Sequence, residues 1–363
     1  MEYYLKEIRE ETISKVAERN AGGKAREDVS AILDKMGIHN LDINLWEMNR
    51  KKANIFRRAT WHLKTVWRLK DTLKDVKEGD ILYLQFPIFE HSILQGFFFH
   101  FFKRNIKTVL IIHDLTMLRE SRNTENILRK IRLWIEEIMV LKYSSRIIVH
   151  NNRMASYLKN MKIDESKLTV LQIFDYLMPS FNINDKRNRS AEKGSGVVIA
   201  GNLSRKKAGY VYDLPLALQY NLYGTNFIGQ RRENVNYCGC YKADELALFL
   251  NGSFGLVWDG PSVDSCIGSY GEYLKINNPH KTSLYLAAGI PVAIWNEAAL
   301  ADFITENRCG ILIESLKDLE AQVERMSEES YLDYKKNAER VGKKIREGFY
   351  LQKAIQESRK LLA

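Results

Sequence analysis

The sequence predicts an α/β protein made of two tandem units, each a parallel sheet covered by helices on both faces. Three observations predict it. In the first half, short apolar runs alternate with long segments of helical spacing. A polar, charged stretch from Ser180 to Gly196 then interrupts the pattern. A second alternating series begins at Gly196, and a chain of 363 residues is long enough for two domains of roughly 150 residues each.

Each element follows from its residues. Ala25, Val29, Ile32, Leu33 and Met36 share one face of a helix. The runs Ile81–Phe86, Thr108–Ile112 and Arg146–Val149 read as buried strands. They end at Pro87, at His113-Asp114 and at His150-Asn151-Asn152. Lys167 to Phe174 reads as a fourth strand, and Glu125 to Tyr143 as a long helix. In the second series, Gly196–Ala200 runs into Gly201-Asn202, and Phe254–Trp258 runs into Asp259-Gly260. Ile290–Trp295 is a strand after a helix, and Glu320 to Leu362 is helical with a break near Gly348. Ligands of open parallel sheets bind beyond the carboxyl ends of the strands. His113, Asp114, His150, Gly201 and Asp259 stand at those ends.

Composition bounds the function. A 45 % hydrophobic and 28 % charged chain is globular, and 55 basic against 45 acidic residues leave a net charge of +10. Such a surface attracts polyanions: nucleic acid, anionic lipid or phosphorylated ligands. Cys238, Cys240, Cys266 and Cys309 form neither a zinc pattern nor a disulfide framework, which fits a reduced, cytoplasmic chain. No signal peptide and no membrane-spanning run is expected.

Three segments suit anions. In Asn277-Asn278-Pro279-His280-Lys281-Thr282, Asn278 reads as an N-cap and Pro279 as the first helical residue, with Gly289 as the stop. The free N–H groups of such a terminus suit a diphosphate, although an ordinary capped helix reads the same way. Gly201 is followed by Arg205, Lys206 and Lys207, either a phosphate contact or a solvated basic turn. Gly22 and Gly23 precede the first amphipathic helix, with neither a Walker loop nor a dinucleotide fingerprint. His113, Asp114, His150 or Glu272 could serve as a general base. The absence of an Asp-x-Asp pair argues for chemistry without a metal. Arg50 to Lys70 holds eight basic and no acidic residues among aromatic and aliphatic ones. That pattern suits an anionic membrane face, or a surface helix whose apolar stripe is core. Phe97 to Phe102 carries the same ambiguity.

Several segments together resemble a bacterial family, the galactofuranosyltransferases and glucosyltransferases of capsule, exopolysaccharide and adhesin glycosylation. They are Asn20-Ala21-Gly22-Gly23-Lys24-Ala25, Ile112-His113-Asp114-Leu115, Val149-His150-Asn151-Asn152, Ile173-Phe174-Asp175-Tyr176, Gly255–Gly260 and Asn277–Thr282. The resemblance implies a GT-B architecture, two Rossmann-like domains facing across a cleft. Residues 1–180 would form the acceptor-side domain and 181–340 the donor domain, with 341–363 returning to the first. It implies a UDP-sugar donor, no further cofactor, and a glycan or lipid-linked sugar as acceptor. Carried to matching positions, Arg205 or Lys206 would contact phosphate and Tyr241 would lie near the uridine. Asn277, Asn278, Lys281 and Thr282 would bind the diphosphate. The Gly22-Gly23 loop would close from the other domain, with Gly23 where a Ser is frequent. Inversion at a galactofuranosyl donor would need a base on the acceptor side, and Asp114 or His113 fits. Competing readings are a UDP-sugar epimerase and a non-catalytic UDP-sugar-binding partner of another transferase. A homo-oligomer and an anionic membrane surface are compatible partners, and nucleic acid is not an expected one.

Overall fold

The computed structural model of the chain describes residues 1–9, 21–45, 54–88, 101, 103–121, 127–179, 181, 192–230 and 232–362. Most of the polar stretch after Pro179 lies outside these residues.

The first sheet contains β1 (Glu2–Arg9), β2 (His39–Leu45), β3 (Ile81–Phe86), β4 (Lys107–Ile112), β5 (Arg146–Val149) and β6 (Leu168–Val170). All pairs are parallel, in the order β2-β1-β3-β4-β5-β6. The second contains β7 (Val197–Asn202), β8 (Tyr220–Thr225), β9 (Val235–Gly239), β10 (Phe254–Val257), β11 (Val292–Trp295) and β12 (Gly310–Ile313). Its order is β9-β8-β7-β10-β11-β12, again parallel. Strand order reverses between β1 and β3 and between β7 and β10. Connections leave on opposite faces at such points and open a crevice at the carboxyl edge.

The helices of the first half are α1 (Ala21–Lys35), α2 (Ile55–Thr72), α3 (Thr116–Ser121), α4 (Ile127–Tyr143) and α5 (Asn152–Asn160). The second half adds α6 (Arg205–Ala208), α7 (Ala243–Phe249), α8 (Gly268–Tyr273), α9 (His280–Ala287), α10 (Ala301–Asn307), α11 (Leu316–Arg325), α12 (Glu328–Arg346) and α13 (Phe349–Lys360). Strand residues alternate between two cores. Leu82, Leu84, Leu110, Ile112, Ile147 and Val149 pack with Leu69, Ile138 and Leu158 of α2, α4 and α5, and with Leu73 just past α2. Tyr83, Val109, Ile111 and Ile148 face the other way, onto Val29 and Ile32 of α1. That second core continues through Ile173, Phe174 and Tyr176 into the second domain and includes Leu351 and Ile355 of α13. Burial on both faces is why β3, β4 and β5 are mostly apolar.

Two corrections concern length. The strand expected over Lys167–Phe174 stops at Val170, and the following residues carry the chain toward the second domain, with Gln172 at φ 77°. α1 begins at Ala21, so Gly22 and Gly23 lie inside its first turn instead of before it. Glycine is tolerated there because first-turn N–H groups have no intrahelical acceptor to lose. Asn20 lies outside the described residues. Between α12 and α13, Gly348 takes φ 77°, which breaks the helix. α13 then returns to the first domain: Asp175 accepts the backbone N–H groups of Tyr350 (3.2 Å) and Leu351 (2.7 Å). Arg359 pairs with Glu2 at 2.7 Å, and Ser358 hydrogen-bonds Thr169.

Candidate active site in the interdomain cleft

The crevice of the second sheet is built by β7, β10 and α9. Gly201, at the end of β7, has φ 129°, and a Cβ there would meet no atom within 4 Å. Opposite it, a Cβ on Gly224 would lie 1.8 Å from the Gly201 carbonyl oxygen. The two glycines let the ends of β7 and β8 approach and leave open space above Gly201. β10 ends at Val257, and Asp259 follows. Lys281, in the first turn of α9, donates to Asp259 Oδ1 (2.8 Å) and to the Trp258 carbonyl (2.7 Å). Tyr285 of α9 accepts the Ala200 N–H at 2.8 Å, and Gly260 donates to the Lys207 carbonyl. These bonds gather Gly201, the loop before Arg205, Asp259 and Lys281 at the switch point. The N–H groups of His280 and Lys281 lead α9 and have no intrahelical acceptor.

The first sheet presents His113 and Asp114 past the end of β4. His113 Nε2 lies 2.7 Å from Gln85 Oε1, an acceptor, so Nε2 carries the proton and Nδ1 its lone pair. Burial, with Arg26 nearby, holds the imidazole well below its usual pKa, so the ring is neutral. Asp114 Oδ1 accepts a 2.6 Å hydrogen bond from Tyr273, the last residue of α8 in the second domain. The same hydroxyl accepts the Leu115 N–H at 3.1 Å, which directs its proton to Asp114. Just beyond, Glu137 accepts the N–H groups of Thr116 and Met117 at 2.9 and 3.0 Å and steadies the turn that carries Asp114. Burial pushes the Glu137 carboxyl up to about 7.

A buried polar seam joins the two edges, and it corrects three sequence expectations. Asn278 is not the cap of α9; Pro279 takes that position, its φ of −68° suiting the entry. The Asn278 amide donates to the carbonyls of His150 (2.8 Å) and Gln172 (2.9 Å), and its Oδ1 accepts from Asn151 at 2.7 Å. Its backbone N–H goes to His150 Nδ1 at 3.1 Å. Every N–H of Asn278 is thereby committed, and none is left for a phosphate. Thr282 is the second correction. It is fully buried with its hydroxyl unpartnered, so nothing in the cleft can reach it without rearrangement. His150 is the third. Its Nε2 donates to the Ile112 carbonyl, Nδ1 accepts from Asn278, and burial pushes its pKa down to about 4. It is a structural histidine with no atom free for base catalysis.

The remaining candidates are placed as follows. Asn277 is half-buried with an unpartnered Oδ1. Arg205 is exposed and lies over the Tyr212 ring at 4.1 Å, and Lys206 is exposed beside it. Tyr241 is half-buried and stacked on Phe249 at 4.4 Å. Gly23 faces open space. Glu272 pairs with Lys275 at 3.4 Å. Tyr273, Asn151 and Lys24 were not legible as site residues. Asn151 carries a usable sign, since an Asn before a helix is a cap, and it does accept the Met154 N–H. Lys24 bridges Asp28, the Leu177 carbonyl and Asp244 of α7, which no local pattern signals.

Comparison with known proteins supports one family. Residues 9–173 match the N-terminal domain, and residues 197–358 the C-terminal domain, described as glucosyltransferase 3-like. The chain is 34 % identical over 346 residues to the beta-1,6-galactofuranosyltransferase WbbI of Escherichia coli K12, covering 93 % of this chain and 94 % of that one. It is 24 % identical to glucosyltransferase 3 of Streptococcus gordonii, over 91 % and 92 % of the two chains. Among solved structures, sucrose-phosphate synthase from Thermosynechococcus elongatus superposes with TM-score 0.63 at 12 % identity, over 99 % of both chains. WaaG, a glycosyltransferase involved in lipopolysaccharide biosynthesis, gives 0.56 at 12 % identity, over 96 % and 98 %. At such identities the likeness concerns the fold: two parallel α/β domains across a cleft, the GT-B arrangement.

Proposed function

The chain belongs to the glucosyltransferase 3-like family of bacterial glycosyltransferases, and from that premise we propose that it transfers a hexosyl group from a UDP-sugar to a glycan or lipid-linked sugar acceptor in the cytoplasm. Galactofuranose is the favoured sugar, because the 34 % identical relative is named a galactofuranosyltransferase. The observation that carries the reading is the Tyr273–Asp114 hydrogen bond. It joins the carboxylate-bearing edge of one sheet to the cation-bearing edge of the other.

In this reading the diphosphate lies over Gly201, against Lys281 and the leading N–H groups of α9. Arg205 and Lys206 approach it from the β7 loop, Tyr241 sits toward the uracil, and the first turn of α1 with Gly22 and Gly23 closes over it. Asp114 takes the proton of the acceptor hydroxyl as its oxygen bonds to the anomeric carbon. The bond to the β-phosphate breaks with its electron pair, and UDP leaves with added negative charge, which the cations and helix terminus stabilise. His113, neutral and with Nδ1 unprotonated, is the alternative base.

The primary test is UDP release from a panel of UDP-sugars, with and without sugar acceptors. Acceptor-dependent release supports the reading. Isomerised donor formed without acceptor would make the protein an epimerase, and UDP binding without turnover would make it a non-catalytic partner.

Two expected results accompany it. Lys281→Ala should weaken UDP binding by about 1–3 kcal/mol, the range for a charge-assisted contact. Calorimetric titration reads it, and unchanged affinity would remove Lys281 from the diphosphate site. Activity should persist in excess EDTA, since the charge of the leaving group is met by Lys281, Arg205 and Lys206. Loss with EDTA and recovery with Mg²⁺ or Mn²⁺ would show that a metal neutralises the diphosphate.

A further inference from the structure

α4 has one continuous apolar stripe, Ile127, Ile131, Trp134, Ile138 and Leu141, at helical spacing. Only its last two turns meet the sheet. Ile138 and Leu141 are 4 % and 0 % exposed, whereas Ile127, Ile131 and Trp134 are 68 %, 50 % and 49 % exposed. The cause is length. Seventeen helical residues span about 25 Å, and the four residues of β5, which α4 leads into, span only about 13 Å. The helix runs antiparallel to the strands, so its uncovered half overhangs the carboxyl edge of the first sheet. That is the edge bearing His113 and Asp114.

α2 is exposed on a second row. Its inner face, with Leu69, is core, yet Phe56, Leu63 and Trp67 stand in one line on its outer face, Trp67 at 78 % exposure. The stripe within Arg50–Lys70 therefore has two sides, one core and one solvent. α2, α4 and α5 all pack onto the same face of the first sheet. By contrast, Phe101 is buried in the core, so the Phe97–Phe102 run offers no insertion there; its other residues lie outside those described.

Charge selects the partner. Residues 50–70 hold eight cations and no acid, and residues 127–135 hold Arg129, Lys130 and Arg132 and no acid. An apolar row with one tryptophan in each helix, in stretches of sequence whose charges are positive up to Asp71 at the end of α2, matches a surface with anionic headgroups over an apolar interior. No helix among the described residues is long and apolar enough to cross a membrane, so the contact is interfacial.

We propose that the outer row of α2 and the overhanging half of α4 form a docking face for an anionic lipid bilayer. It would hold the carboxyl edge of the first domain, with Asp114, toward the lipid surface. The inference concerns the surface alone and does not need the donor assignment.

The test is co-sedimentation with vesicles of phosphatidylcholine alone or mixed with phosphatidylglycerol, at low and high salt, read together with tryptophan fluorescence. The expected result is binding to mixed vesicles, loss at high salt because surface charges are screened, and a blue shift of emission. Trp67→Ser with Leu63→Ser, and Trp134→Ser with Ile131→Ser, should each lower partitioning more than tenfold. Leu216→Ser, an exposed leucine of the second domain, should leave it unchanged. UDP affinity should be unaltered in all three, which separates a failure here from a failure of the donor reading. Equal binding to both vesicle types, no binding to either, or variants that bind like the parent would overturn the proposal. So would lipid-free self-association abolished by the same substitutions, which would assign the face to a second copy of the chain.

Discussion

Asp114→Asn should lower kcat by about 10²–10⁴-fold, the range for removing a positioned general base, with UDP affinity unchanged. The substitution keeps the size of the side chain. Its Oδ1 can still accept the Tyr273 hydroxyl proton, so the bond between the domains survives and only proton acceptance is lost. Steady-state kinetics at saturating donor and acceptor measure the effect, and calorimetry with UDP supplies the control. Because Asp114 belongs to the first domain and the cations to the second, the two readouts separate cleanly. A wild-type kcat in Asp114→Asn, with a comparable fall in His113→Gln, would transfer the base to the histidine. Intact turnover in both would remove the acceptor-side base from this edge altogether.

The second large effect is on stability. Asn278→Leu should destabilise the protein by about 3–5 kcal/mol. The isosteric change leaves the carbonyls of His150 and Gln172 and an amide hydrogen of Asn151 without partners. Each stranded buried group costs about 1–3 kcal/mol. For a chain of 363 residues this corresponds to a fall in melting temperature of about 5 °C, read by scanning calorimetry. An unchanged melting profile would mean that the seam holds no energy of its own and that apolar packing around Phe174 joins the domains unaided.

Legibility in the sequence followed burial. β3, β4, β5, β7, β10 and β11 were readable because both faces of each are covered, which forces continuous apolar runs. β1 was hidden by Glu2, Lys6, Glu7 and Arg9, and β2 and β9 by the polar residues tolerated at a sheet edge. β8 lies inside its sheet but carries Asn221, whose amide serves the carbonyls of Ser195 and Asn251. In the site, Gly201, Asp259 and Lys281 followed from strand ends and a helix start. The role of Asn278 did not, because local spacing makes any Asn before Pro look like a cap. Its actual partners, His150 and Gln172, are more than a hundred residues away. Tyr273 was invisible for the same reason, since its partner Asp114 is 159 residues distant.

The return of α13 to the first domain bears on how the protein is made. Ile355 and Leu351 complete a core whose other members, Val29, Ile32, Tyr83 and Ile111, are translated hundreds of residues earlier. Until residues 349–360 have left the ribosome, the faces of β5 and β6 that they cover stay open, and Asp175 has no helix to cap. The strands and α9 of the second domain lie between residues 197 and 313, but its core also takes Tyr331, Val341 and Ile345 of α12, so it too waits for a C-terminal helix. Both domains are therefore completed by the last helices made, the second by α12 and the first by α13. A growing chain would carry an uncovered apolar sheet face for most of its synthesis, and that face is where a nascent-chain chaperone would engage it.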